Sequence, residues 1–138
     1  MSTTPTTDRL GPRVLLVDDD PAVAKALATV LRRAGYDVMS AGSTSEAENL
    51  LSERFDAMVL DLRMPEMRGD AFYYLACLRQ PWLICRALFV TGDITEQAEK
   101  IIEDTGCHFL LKPFRAQTMI AELLLIAPIP PRLVERAG

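Results

Sequence analysis

Val14-Leu15-Leu16-Val17-Asp18-Asp19-Asp20-Pro21 passes from one kind of backbone to another within a few residues. Its first four residues are apolar without a gap, and two are β-branched. Such a run reads as a strand covered on both faces, because a strand with one wet face alternates apolar with polar. The aspartates end it. Asp20 is suited to cap a helix, and Pro21 to occupy the first turn, where its missing N–H leaves nothing unpaired. Val23, Leu27, Val30 and Leu31 then recur at helical spacing until Gly35 stops them.

Working outward, the alternation repeats. Tyr36 to Ser40 reads as a second strand. Ser43-Thr44-Ser45-Glu46 opens a helix with a capping box, closed by Leu50, Leu51 and Phe55. Ala57-Met58-Val59-Leu60 is a third strand ending at Asp61. A loop from Leu62 to Gly69 leads to a helix from Asp70 to Arg79, terminated by Pro81. Ala87-Leu88-Phe89-Val90 is a fourth strand ending at Thr91-Gly92, followed by a helix from Thr95 to Thr105 and a stop at Gly106. His108 to Leu111 is a fifth strand ending at Lys112-Pro113, and Arg115 to Ala127 is the last helix. Strands joined by helices of this length predict a doubly wound α/β fold. It has a five-stranded parallel sheet in the order 2-1-3-4-5, helices on both faces and ligands at the carboxyl edge.

The chain has 138 residues, enough for one domain with one sheet and little more. The expected domain is 13–127, with 1–12 as a disordered Ser/Thr-rich leader and 128–138 as a proline-rich tail or linker stub. Net charge is −4, so no clustered basic surface for nucleic acid is expected. No apolar run approaches the roughly 20 residues of a membrane span, and the first residues lack the pattern of a secretory signal. Cys77, Cys85 and Cys107 are odd in number and irregularly spaced. They read as thiols in a reducing cytoplasm rather than a disulfide framework. His108, the single histidine, reads as a strand residue, since zinc wants several nitrogen and sulfur ligands.

The residues just past the strands form one constellation: Asp18 and Asp19 after the first, Asp61 after the third, Thr91 after the fourth and Lys112 after the fifth. Acidic residues are common in such loops, and any one alone says little. Together, three carboxylates in one crevice repel one another unless a cation joins them, and Mg²⁺ favours oxygen ligands of this kind. Lys112 and Thr91 would complete a phosphate cradle with one point charge and one hydroxyl. A carboxylate can attack a phosphoryl group, and Asp61 is the central one.

The motifs Val17-Asp18-Asp19, Leu60-Asp61-Leu62-Arg63-Met64-Pro65, Val90-Thr91-Gly92 and Lys112-Pro113-Phe114 resemble those of response-regulator receiver domains of two-component signalling. The resemblance runs from about Arg13 to Ala127. It implies a flavodoxin-like fold, with Asp61 as phosphoacceptor. It further implies Mg²⁺ held directly by Asp19 and Asp61, largely through water by Asp18, and by the backbone carbonyl of Arg63. Thr91 and Lys112 would bind the phosphoryl group, and the Lys112–Pro113 peptide would be cis. Phe109 would be the switch aromatic, here without the hydroxyl a tyrosine brings. The implied partner is a histidine kinase or histidine phosphotransfer protein, and the implied location cytoplasmic. Phe89 to Asp93, with Thr105-Gly106 and Phe109 to Phe114, look like receivers fused at the C-terminus of hybrid sensor kinases.

Two further expectations concern surfaces. Arg63 and Asp93 should meet across the rim of the site. The last helix carries more apolar residues than one packed stripe needs. The face of the fourth helix, fifth strand and fifth helix is therefore expected to bind a partner, or a second copy of this chain. The tail residues Ile129, Leu133 and Val134 folding back over it are the competing explanation. A flavin-binding module is disfavoured, because Asp18-Asp19-Asp20 would repel a phosphate in the absence of a metal. A degenerate receiver that serves only as a docking module is the remaining alternative.

Overall fold

The structure is a computed structural model, and it describes residues 11–64 and 67–131. Pro65, the leader up to Leu10, and Leu133 and Val134 of the tail lie outside the described residues. The elements are β1 (Arg13–Val17), α1 (Pro21–Ala34), β2 (Asp37–Ala41), α2 (Thr44–Leu50), β3 (Ala57–Asp61), α3 (Gly69–Arg79), β4 (Ala87–Thr91), α4 (Glu96–Thr105), β5 (His108–Leu111) and α5 (Ala116–Ile126), with a 3₁₀ turn at Pro81–Leu83. The sheet is parallel, in the order β2-β1-β3-β4-β5.

Caps explain the ends of α1 and α4 and the start of α2. The Asp20 carboxylate accepts the N–H groups of Ala22 and Val23 with Pro21 at the first turn, and Gly35 closes α1 in the left-handed region at φ 115°. The hydroxyls of Ser43 and Thr95 cap α2 and α4 by accepting a backbone N–H, and Gly106 ends α4 at φ 67°. One expectation needs correcting. Phe55 does not belong to α2, which ends at Leu50; it is fully buried in the following loop. That loop is held by Gln80, which accepts the Phe55 N–H (3.0 Å) and donates to the carbonyls of Leu51 (3.1 Å) and Glu53 (2.8 Å).

Strand alternation divides the core. Leu15, Val17, Met58, Leu60 and Phe89 face α2, α3 and α4. Val14, Leu16, Val59, Leu88, Val90 and Leu110 face α1 and α5. Burying each such side chain stabilises the fold by about 1.5–3 kcal/mol. Register levels the strand ends. Val17 pairs with Leu60, Asp61 with Val90 and Thr91 with Leu111, so the carboxyl ends of these four strands finish almost level.

Among the described residues after α5, none is placed over that helix's outer face. Ile129 packs instead beside Gly35 at the end of α1, and the Tyr36 hydroxyl donates to the Ala127 carbonyl at 2.8 Å. Leu124 and Leu125 stay exposed.

Candidate functional site

With the strands finishing level, the residue after each one lands beside its neighbours. Asp18 and Asp61 are buried, and Asp19 is exposed. One carboxylate oxygen from each lies within 4.8 Å of the other two. Lys112 enters from the far side. Its Nζ is 2.9 Å from Asp61 Oδ2 and 3.9 Å from Asp18 Oδ2. The Lys112 N–H bonds to the Thr91 carbonyl at 2.7 Å, which continues the β4–β5 ladder and carries the lysine to the site. The Lys112–Pro113 peptide is cis.

Backbone donors orient the carboxylates. Asp61 Oδ1 accepts the Arg63 N–H and Asp18 Oδ1 accepts the Asp20 N–H, each at 2.9 Å. One ammonium against three carboxylates leaves an excess of negative charge. Burial pushes the Asp18 carboxyl above its usual pKa. The Asp20 N–H and the Lys112 charge pull it down, and the charges of Asp61 and Asp19 push it further up. For Lys112 burial acts against the charged form. The hydrogen bond to Asp61 and the charges of Asp61, Asp18 and Asp19 outweigh it, and its pKa is raised.

Thr91 is buried at the end of β4, and its hydroxyl is turned onto its own loop. It donates to the Asp93 carbonyl at 2.9 Å and accepts the Asp93 N–H at 3.3 Å. The Arg63 guanidinium meets the Asp93 carboxylate at 2.9 Å with both side chains largely in solvent. A recess of about 170 Å³ opens beside Thr91, with Arg63, Asp93 and Arg68 on its wall. Phe109 is two-fifths exposed on β5. Leu110 faces α1 and α5, so by alternation Phe109 and Leu111 face the α4 side.

One residue of the site escaped sequence reasoning as anything but a loop glycine. A Cβ on Gly69 would stand 2.4 Å from the Asp61 carbonyl oxygen, so the start of α3 can press against the end of β3 only without a side chain. The close approach involves residues eight positions apart, and no local pattern announces it.

The donor set fits a small divalent cation. Mg²⁺ takes hard oxygen ligands and usually one or two carboxylates. Three converging aspartates, two with one oxygen already oriented by a backbone N–H, supply that chemistry.

Fold and site define a protein class: a parallel α/β sheet with an acidic triad, a threonine and a lysine at its carboxyl edge. The chain belongs to the response regulator receiver domain family, whose profile matches residues 14–124. It is 38% identical over 113 residues to the two-component response regulator ORR22 of Oryza sativa subsp. indica, covering 80% of this chain and 16% of that protein. It is 34% identical to the two-component response regulator ARR11 of Arabidopsis thaliana, with 80% and 21% covered. The chain thus spans about a fifth or less of the length of these relatives. Among solved structures it is similar to the non-phosphorylated HemR receiver domain of Leptospira biflexa (TM-score 0.73, 33% identity, 83% of this chain and 93% of that one). It is similar also to a Burkholderia pseudomallei response regulator with a phosphorylated aspartic acid, calcium ion and citrate (TM-score 0.72, 29% identity, 81% and 66%). No helix among the described residues is long and apolar enough to cross a membrane.

Proposed function

We propose that this chain is the phosphoacceptor of a two-component phosphorelay. It takes a phosphoryl group on Asp61 from a phosphohistidine of a histidine kinase or phosphotransfer protein. The observation that carries the reading is the Lys112 ammonium 2.9 Å from Asp61 Oδ2 inside a cluster of three carboxylates. A structural ion pair would need one carboxylate; the other two would only add repulsion.

An Asp61 oxygen attacks phosphorus; an O–P bond forms, the P–N bond breaks, and the leaving imidazole takes a proton. Asp18, Asp19, Asp61 and the Arg63 carbonyl would hold Mg²⁺, which when bound draws charge from the phosphoryl oxygens. Lys112 exchanges its contact with Asp61 for a phosphoryl oxygen. The Thr91 hydroxyl leaves the Asp93 carbonyl to donate to the same group, which frees space toward which Phe109 can turn. The chain is a stoichiometric acceptor that assists its own transfer and hydrolysis. The phosphorylated aspartate in the Burkholderia relative supports this reading. A cytoplasmic location fits these partners.

The output surface we assign to the α4–β5–α5 face. Phe109 and Leu111 on β5 and Leu124 and Leu125 on α5 are exposed, and Leu111 pairs with Thr91 across the β4–β5 ladder. The partner is a protein surface with matching apolar groups, a second copy of this chain included.

Intact mass after incubation with acetyl phosphate and Mg²⁺ tests the acceptor. A gain of about 80 Da is expected for the parent and none for Asp61→Asn or in excess chelator. Equal labelling of the variant refutes the assignment. For the surface, sedimentation with and without beryllofluoride should show association that Leu125→Glu abolishes.

A further inference from the structure

At the opposite end of β4 a second group of reactive side chains converges. Cys77 lies on α3, Cys85 just before β4, and Cys107 between α4 and β5. The topology brings them around one hydroxyl. Tyr73 accepts the Cys85 N–H at 2.9 Å, and its hydroxyl interacts with the thiols of Cys107 and Cys77. Nothing in the phosphoryl chemistry uses them.

Two of the three are arranged for more than packing. The sulfur of Cys85 is 3.5 Å from the Thr105 carbonyl oxygen, and that of Cys107 is 3.8 Å from the same oxygen. The distance between the sulfurs therefore cannot exceed the sum of those two. Cys85 is exposed and Cys107 is buried. Cys85 is also the one described non-glycine residue with positive φ, at 63°, a conformation that costs energy for a side chain with a Cβ. Its N–H is pinned there by Tyr73, and its sulfur stands 3.9 Å from where a Gly106 Cβ would be. Gly106 has no such atom, so the path from Cys85 toward Cys107 runs past a residue without a side chain.

We propose that Cys85 and Cys107 form an oxidation site at which a hydroperoxide drives a disulfide between the loop before β4 and the entry to β5. The exposed Cys85 thiolate attacks the peroxide. Its sulfur takes one oxygen and becomes a sulfenic acid while the O–O bond breaks and water, or an alcohol, leaves. The Cys107 sulfur then attacks the sulfenyl sulfur, the S–S bond forms, the S–O bond breaks and water leaves. Two thiols lose two electrons in all, and the peroxide gains them. Rotation of the two side chains brings the sulfurs from contact with one carbonyl to the roughly 2 Å of a disulfide. In a reducing compartment the bond is transient, opened again by thiol exchange. Once closed, it ties the end of α4 and the start of β5 to β4, so the site reports oxidant at a joint between elements of the proposed output face. Bond formation itself depends on the thiol geometry and not on phosphorylation.

The test is peroxide treatment of the full chain, then intact mass and peptide mapping under non-reducing conditions. The expected result is a loss of about 2 Da, reversed by dithiothreitol, with Cys85 and Cys107 in one cross-linked peptide pair. The loss should vanish in Cys85→Ser and in Cys107→Ala, and persist in Cys77→Ala. Amide exchange at Cys107–Leu110 should slow on oxidation. A bridge that includes Cys77, a bridge between chains, or oxyacids on Cys85 without a bridge each overturns the proposal, as does no reaction. Cys85→Ser is exposed and leaves the core intact, so a folding failure in Cys107→Ala cannot hide the answer.

Discussion

The two ends of the sheet solve the same problem in opposite ways. Each must deal with backbone and side-chain polar groups where the strands stop. At the amino end the polar groups are matched: Gln80 makes three hydrogen bonds to the loop after α2, the Trp82 indole donates to the Phe55 carbonyl at 2.8 Å, and the Arg13 guanidinium is paired with Asp37 and Glu53. The Tyr36 hydroxyl is likewise paired, and burial pushes its pKa up to about 12. At the carboxyl end charges crowd together without balance. Three carboxylates face one ammonium, and the most buried of them, Asp18, is held above the normal carboxylate range. The difference teaches which end is built for the fold and which for a ligand. A stable protein closes its hydrogen bonds internally; unmatched buried charge persists where something else is to complete it.

That contrast can be broken at either end. The largest effect belongs to Asp61→Asn. Phosphate incorporation should drop to background, while the melting temperature in chelator should not fall. A marked loss of stability would mean that the aspartate is structural and the contrast false. Next is Gln80→Ala. It strands the Phe55 N–H and two carbonyls in a buried loop, so unfolding should become easier by about 2–4 kcal/mol, measured by urea denaturation. Stabilisation of this variant by Mg²⁺ should match that of the parent, because the two ends are separate.

Asp18→Asn sharpens the comparison through pH. The folded pKa of Asp18 lies above its unfolded value of 3.8, so the protonated form favours folding and that contribution is lost as pH rises through the folded pKa. The variant keeps a neutral group at every pH. In chelator at pH 7 it should melt higher than the parent, and the gain should fade as pH approaches 3.8. A gain unchanged at low pH would point to packing instead of charge. In Mg²⁺ the ranking should reverse, since the parent gains more from the ion.

The smallest effect is expected from Arg63→Ala. Its ion pair with Asp93 is exposed, so stability should change by less than about 1 kcal/mol. The side chain stands over the rim, however, and loss of the cover should shorten the life of the aspartyl phosphate. Equal decay rates in parent and variant would remove Arg63 from any role in shielding it.

The order of elements, the sheet order and the position of the acidic residues were all readable from local pattern. Strand and helix have different periods, caps and stops are single residues, and parallel topology obliges strand ends to meet at one edge. Asp18, Asp61, Thr91 and Lys112 were therefore legible as neighbours before any coordinate. What tertiary structure alone decided depends on distances between segments far apart in sequence. Lys112 lies 2.9 Å from Asp61 and 3.9 Å from Asp18, and Gly69 leaves room for the Asp61 carbonyl. Gln80 and the thiols of Cys85 and Cys107 gave no signal in the chain, because a glutamine before a proline or an unpaired cysteine looks the same whether exposed or buried. Which partner such a side chain meets is set by how helices of given length return the chain to the sheet, and that is a property of packing rather than of local sequence.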